Sequence, residues 1–146
     1  AEKVRYGEPS TAGEFIYDHP FQWGSKRTGP DLHRVGGKYS HQWHYQHLLD
    51  PRSTSQGSNM PSYAFLAKSK IDVGDTAIKM NAMKTLGVPY SAQDIGQGTL
   101  TLEKQGKAIA EELSKQGIAV DWDSQMVALI AYLQRLGKPA AQTASK

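Results

Sequence analysis

The stretch of residues 29–63 constrains this chain more than any other segment. It opens with a Gly-Pro turn that leads to Leu32, and it closes on a lone methionine, Met60, followed by Pro61. Proline fixes its own φ angle and glycine supplies conformational freedom, so both ends are sharply shaped loops. Two such loops, about thirty residues apart, can face each other across a flat ligand, with Pro30 and Leu32 on one face. The thioether of Met60, a soft and neutral donor, would then lie over the other face.

The composition narrows the classes of protein to which the chain can belong. It contains no cysteine, which excludes disulfides, zinc–thiolate sites and thiol catalysis. Hydrophobic residues make up only 38% of its 146 residues, so we expect a thin core that a cofactor or partner would help complete. The net charge of +3 is scattered along the chain, whereas nucleic-acid-binding proteins usually cluster their basic residues.

Targeting segments and catalytic motifs are not visible in the sequence. No apolar run approaches the roughly 18–20 residues that span a bilayer, and the first ten residues lack the apolar core of a signal peptide. We expect the chain to be soluble as given. This is compatible with its being a piece cut from an anchored protein. The sequence also has no nucleophile elbow, phosphate-binding loop or His-Glu-x-x-His motif, and nothing in it argues for catalysis.

Hydrophobic periodicity and capping residues predict a mainly α fold with long loops in the first half. Ser40 is a suitable N-cap for a short helix from about His41 to Leu49, which Pro51 ends. No convincing alternating strand pattern is present. Three further helices are predicted over about residues 75–86, 91–117 and 124–136, capped by Asp72 or Asp75, by Ser91 with Asp94, and by Asp121 or Asp123.

Each of these further helices has one apolar face, which we expect to be buried. The predicted faces are Ile78, Met83 and Leu86; then Ile95, Thr99, Leu102, Gly106, Ile109 and Leu113; and finally Met126, Leu129, Ile130, Leu133 and Leu136.

Three histidines recur every third residue on the first predicted helix. His44 and His47 are three residues apart and could jointly bind copper or zinc. His41 and His47 point roughly 120° apart on a helix, so a site with all three is not expected. Histidines on the surface or lining a pocket are the favoured interpretation. The alternative is a module that binds a metal through histidine or binds another protein.

The chain resembles a known family over about residues 3–137. The resemblance rests on long runs in a fixed order: YDHPFQWGSKRTGPDLHRVGGKYS, WHYQHLLDPR, SNMPSY, LGVPY and LIAYLQRLG. The family is the membrane-anchored monohaem cytochrome c subunit, called FixO or CcoO, of cbb(3)-type cytochrome c oxidases. The resemblance implies a class I cytochrome c-like periplasmic domain over residues 1–137, and we expect residues 138–146 to be a disordered tail.

The resemblance also implies a function. The subunit carries haem c and relays electrons toward the oxygen-reducing catalytic subunit, so it is not catalytic by itself. Its implied partners are the catalytic and dihaem cytochrome c subunits, at the periplasmic face of a bacterial inner membrane. Four basic residues would balance the haem propionates or meet an acidic partner surface: Lys26, Arg27, Arg34 and Lys38.

Individual residues take implied roles from the same resemblance. Met60 matches the axial methionine ligand of the haem iron, in a loop held by Pro61. The carbonyl of Pro30 would accept a hydrogen bond from the proximal histidine, and Leu32 would pack on the haem face. Lys38 stands where a basic residue often lies near the propionates. The implied pocket walls are Trp23, Trp43 and Tyr63.

One departure from the family pattern is large. The family carries Cys-x-x-Cys-His, and a transmembrane helix before it, just ahead of where this chain starts. Neither is in this sequence, and His33 is a poor substitute for the proximal ligand. We therefore expect a haem-free fragment without the N-terminal haem-attachment helix. The helix face from Met126 to Leu133 would then repack internally, bind another chain or stay partly exposed. A further prediction is that the haem-free fragment self-associates through this C-terminal helix.

Overall fold

The computed structural model describes residues 7–23 and 31–138, and in these ranges the chain is mainly helical. It has no strand there, only an isolated antiparallel bridge between Lys70 and Ser124. The prediction of a mainly α fold is therefore confirmed. The α-helices are α1 (His41–Leu49), α2 (Pro51–Thr54), α3 (Thr76–Thr85), α4 (Ala92–Lys115) and α5 (Gln125–Arg135), and short 3-10 helices cover Ala12–Phe15 and Ala64–Ala67.

The chain divides into two compact units. The first comprises residues 1–39 and 132–146, and the second comprises residues 40–131, so the boundary falls within α5. The predicted tail lies almost entirely outside the described residues, since the description ends at Lys138. Within the described ranges, no helix is both long enough and apolar enough to cross a bilayer.

In the first unit, a glycine pair lies directly against the last residues of α5 and the turn after it. The N–H of Gly36 donates to the carbonyl of Leu136 at 3.1 Å, and the N–H of Gly37 donates to the side-chain oxygen of Gln134 at 2.8 Å. Gln134 also donates from its amide nitrogen to the carbonyl of Tyr39 at 2.8 Å. A side chain at position 36 would collide with the Leu136 carbonyl, so this close approach requires glycine.

The core of the second unit is built by α1, α4 and α5. Met126 and Ile130 are fully buried, so the apolar face of α5 repacks internally in this unit, the first of the three alternatives left open by the sequence. The predicted stripe of α4 is buried in its C-terminal half and only half-buried at its start. Val127 is a core residue that the predicted face omitted. The core cluster consists of Leu48, Ile109, Leu113, Met126, Val127 and Ile130.

The predicted helix starts are confirmed for α1 and α4. The hydroxyl of Ser40 accepts a hydrogen bond from the N–H of Trp43 at 3.1 Å. Ser91 and Asp94 form a reciprocal capping box at the start of α4. Pro51 ends α1 as predicted, and it also begins the short helix α2.

The cap of α5 differs from the prediction. The side chain of Ser124 accepts from the N–H of Val127 at 3.2 Å, which is the bond expected of an N-cap. The aspartates named as caps bind Lys70 instead, Asp121 at 2.7 Å and Asp123 at a shorter distance. The ammonium group offers both carboxylates a charged partner, so the neutral hydroxyl is left to cap the helix.

The predicted buried face of α3 is wrong at Ile78 and Leu86, whereas its third member, Met83, is half-buried. Ile78 is 68% exposed and Leu86 is 53% exposed, and α3 has no buried residue. The helix meets α4 through Met80 and Thr76, which lie against Gly98. A glycine opposite Met80 leaves room for its sulfur, so this face, rather than the more apolar Ile78 face, turns inward.

Two glycines of α4 differ in how closely other residues approach them, and this difference can be tested. A Cβ at Gly106 would lie 2.7 Å from the carbonyl oxygen of Trp122, whereas a Cβ at Gly96 would meet nothing within 4 Å. We expect Gly96→Ala to stabilise the fold by up to ~1 kcal/mol through helix propensity. Gly106→Ala should destabilise it by roughly 1–3 kcal/mol, because backbone must shift. Urea unfolding followed by circular dichroism measures both, and a Gly106→Ala chain as stable as the wild type would contradict the assigned contact.

Candidate functional site

Met60, the predicted iron ligand, lies in the second unit at the end of the polar loop after α2. Its side chain is half-buried and packs against the core cluster around Leu48. Its N–H donates to the hydroxyl of Ser58 at 3.2 Å. Met60 is therefore in contact with the core without being fully buried.

Tyr63 lies beside the same core cluster and joins this loop to α1. Its N–H donates to the carbonyl of Leu48 at 2.8 Å, and its ring packs against the cluster that Met60 also contacts. The Tyr63 ring is also tilted against Phe65, with 6.2 Å between centroids. The structure thus packs two of the predicted site residues, Met60 and Tyr63, on the same core cluster, and Tyr63 lies at the C-terminal end of α1.

Trp43 packs on the histidines of its own helix. Its ring stacks on His47 with 4.6 Å between centroids and an angle of 11° between planes. It meets His44 edge-on at 5.5 Å. His47 in turn shares a hydrogen bond with the hydroxyl of Thr54, with 2.5 Å between Nδ1 and Oγ1.

His44 is a core residue, only 3% exposed, and not the surface or pocket-lining group that the sequence indicated. Burial, with a smaller contribution from the neighbouring His41 and His47, lowers the pKa of His44 to about 4. Burial also lowers the pKa of His47. His41 lies 3.5 Å from the carboxylate of Glu112.

The alternative of a histidine metal site gains no support from this geometry. Across residues 7–23 and 31–138, no three or more His, Cys, Asp or Glu side chains are grouped so that they could hold a metal ion. Helical spacing puts His44 on the same side of α1 as the buried Leu48, and the packing of the second unit decides how completely that side is covered.

The remaining predicted site residues belong to the first unit. Leu32 is 46% exposed. Lys38 is half-buried, with its ammonium nitrogen 5.7 Å from the centroid of the Tyr39 ring. Trp23 is partly exposed and donates from its indole nitrogen to the carbonyl of Ser10 at 3.1 Å. Pro30, Lys26 and Arg27 lie outside the described residues.

A carboxylate that the sequence did not single out organises the loop around Leu32. Glu14 accepts from the guanidinium of Arg34 at 2.5 Å and lies 3.2 Å from Nε2 of His33. The Arg34 hydrogen bond, followed by the bond from the Thr11 backbone, lowers the pKa of Glu14. Arg34 therefore has a carboxylate partner in its own unit, which weakens its candidacy for pairing with a propionate.

Comparison with known proteins identifies the family. A family model described as "Cytochrome C oxidase, mono-heme subunit/FixO" matches residues 1–140, nearly the whole chain. The chain therefore belongs to the FixO family of mono-haem subunits of cytochrome c oxidase, and the resemblance drawn from the sequence is confirmed. Membership places it as a membrane-associated, electron-transferring subunit of an oxidoreductase complex. No curated protein matches the chain.

Met60 could supply one axial donor to a haem iron. A thioether that is half-buried beside an apolar cluster is a suitable axial donor. Phe65 is 60% exposed and Leu49 is 36% exposed. The 146 residues contain no cysteine, so no thioether bond to haem can form on them.

The buried His44 should make stability fall with acid. Between about pH 6.5 and pH 4 the unfolded chain binds a proton at this residue that the folded chain does not, so stability decreases as pH drops through that window. The loss at its lower end is at most about 3 kcal/mol. We expect His44→Gln, which cannot titrate, to flatten the pH dependence measured by urea unfolding.

His41→Gln on the same helix is the control. That variant keeps His44, so it should retain most of the wild-type pH dependence. An unchanged pH dependence in His44→Gln would show that another group causes the acid sensitivity.

Proposed function

We propose that this chain is the periplasmic haem-binding part of the mono-haem subunit of a cbb(3)-type oxidase, with Met60 as one axial ligand of the iron. The observation that carries the proposal is the position of Met60. Its sulfur belongs to a half-buried side chain, packed on the core and followed by a proline. Family membership over residues 1–140 supports the assignment.

Haem c, when bound, supplies one-electron redox chemistry, and the residues of this chain bind it and set its potential. Methionine ligation raises the reduction potential of the iron, because neutral sulfur is a weaker donor to the oxidised metal than an anionic ligand. Tyr63 and Trp43 would form walls of the pocket. The proposed roles of Pro30, Leu32 and Lys38 follow the family pattern: orienting the proximal histidine, packing on the haem face and lying near a propionate.

The proposed subunit passes electrons and does not itself reduce oxygen. Its electrons would go to the catalytic subunit, and the dihaem cytochrome c subunit is the second proposed partner. This electron transfer would take place at the periplasmic face of a bacterial inner membrane. The two cysteine links and the proximal histidine would come from outside these 146 residues, which hold no cysteine.

Met60→Leu tests the proposed ligand. Leucine has a similar volume and no sulfur, so the core contact is retained while the donor is lost. In the assembled oxidase we expect loss of the methionine-ligated low-spin spectrum of this haem and a lower midpoint potential. Spectroelectrochemistry of the complex measures both.

Met83→Leu is the matched control, since Met83 is another half-buried methionine, located on α3. It should leave the spectrum and the potential at their wild-type values. If Met60→Leu also left them unchanged, Met60 would not be the ligand.

A further inference from the structure

The C-terminal end of α1 is closed by the segment that follows Met60. A helix leaves its last carbonyl groups without partners inside the helix. Here the carbonyl of Leu48 accepts from the N–H of Tyr63 at 2.8 Å, and the carbonyl of Leu49 accepts from the hydroxyl of Ser62 at 2.6 Å. Two successive residues of the loop therefore bind two successive carbonyls of the helix.

The Ser62 hydroxyl makes a second bond in the other direction. It accepts from the N–H of Ala64 at 3.3 Å, at the start of the 3-10 helix Ala64–Ala67. A single hydroxyl thus links the end of α1 to the next helical turn. The residue itself is exposed, so burial of its side chain does not explain its place.

Met60 lies between two hydroxyl groups along the chain. Its own N–H donates to Ser58, and Ser62 follows it after Pro61. Proline fixes its own φ, so the chain between Met60 and Ser62 has one rotatable bond fewer with which to absorb a displacement of Ser62. The side chain of Met60 is only half-buried, and packing alone holds it less firmly than a fully buried residue.

We infer that Ser62 is a positioning residue for Met60, holding the sulfur where it can bind iron by fixing the loop to the end of α1. The inference rests on the proposed function of Met60. Ser62 does not touch the iron or the haem in this role. Removing its hydroxyl should loosen the loop while leaving the sulfur donor in the chain.

Hydrogen exchange in the assembled oxidase gives the first measurement. In Ser62→Ala we expect the amides of Tyr63 and Ala64 to exchange about five- to tenfold faster, since one hydroxyl that binds both sides is lost. Ser62→Thr keeps the hydroxyl and should exchange like the wild type. Unchanged exchange in Ser62→Ala would overturn the inference.

The second measurement concerns the haem. Ser62→Ala should reduce the fraction of methionine-ligated haem and lower the midpoint potential, and Ser62→Thr should restore both. The control is Ser69→Ala, since the hydroxyl of Ser69 donates to the carbonyl of Phe65, one turn earlier, at 3.1 Å. That variant should leave the haem spectrum and potential unchanged.

Comparing Ser62→Ala with Met60→Leu distinguishes a failure of the positioning role of Ser62 from a failure of the ligand assignment of Met60. If Met60→Leu changes the spectrum and Ser62→Ala does not, the positioning role is wrong and the ligand assignment stands. If Met60→Leu changes nothing, the ligand assignment is wrong and the role of Ser62 toward iron ends with it. A Ser62→Ala chain that lost its helical circular dichroism would also overturn the inference, because the residue would then support the whole fold.

Discussion

The packing of α1, α4 and α5 around one small apolar cluster is the constraint on which the second unit depends. Leu113, Met126 and Ile130 are fully buried there. Burying such a side chain contributes about 1.5–3 kcal/mol, so a few residues supply a large share of the stability. With hydrophobic residues at only 38% of the chain, there is little apolar surface to spare, and the other parts of this unit attach to the cluster or remain exposed.

The loop of Met60 attaches to the core cluster, whereas the helix α3 remains largely exposed. The loop packs Met60 and Tyr63 on the cluster and returns two hydrogen bonds to the end of α1. Its geometry is therefore set by the same helix that forms the core. In contrast, α3 meets α4 mainly through Met80 beside Gly98 and buries none of its own residues. A metal donor such as the sulfur of Met60 must keep a fixed position. The loop, which packs on the cluster, holds it more firmly than a helix such as α3 would.

The roles of several polar side chains depend on which residues lie next to them in the tertiary structure. Lys70 binds Asp121 and Asp123, and the cap of α5 is left to Ser124, which is fully buried. His44 has been taken into the core, where a charge would be costly, and its pKa falls to about 4. Both arrangements arise because α1, α4 and the chain around Lys70 meet α5, and neither depends on local sequence alone.

The sequence by itself determined the helical class, the four longer helices, the start signals of α1 and α4, and the family. Periodicity and capping act over a few residues, so α1 and α4 could be predicted closely, and long ordered runs carried the resemblance. It also singled out Met60, though its place as ligand remains a proposal. Only the tertiary structure decided which face of α3 turns inward, which residue caps α5, how completely His44 is buried, and that Ser62 binds the end of α1. Each of these depends on contacts between segments distant in the chain, and no local pattern encodes them.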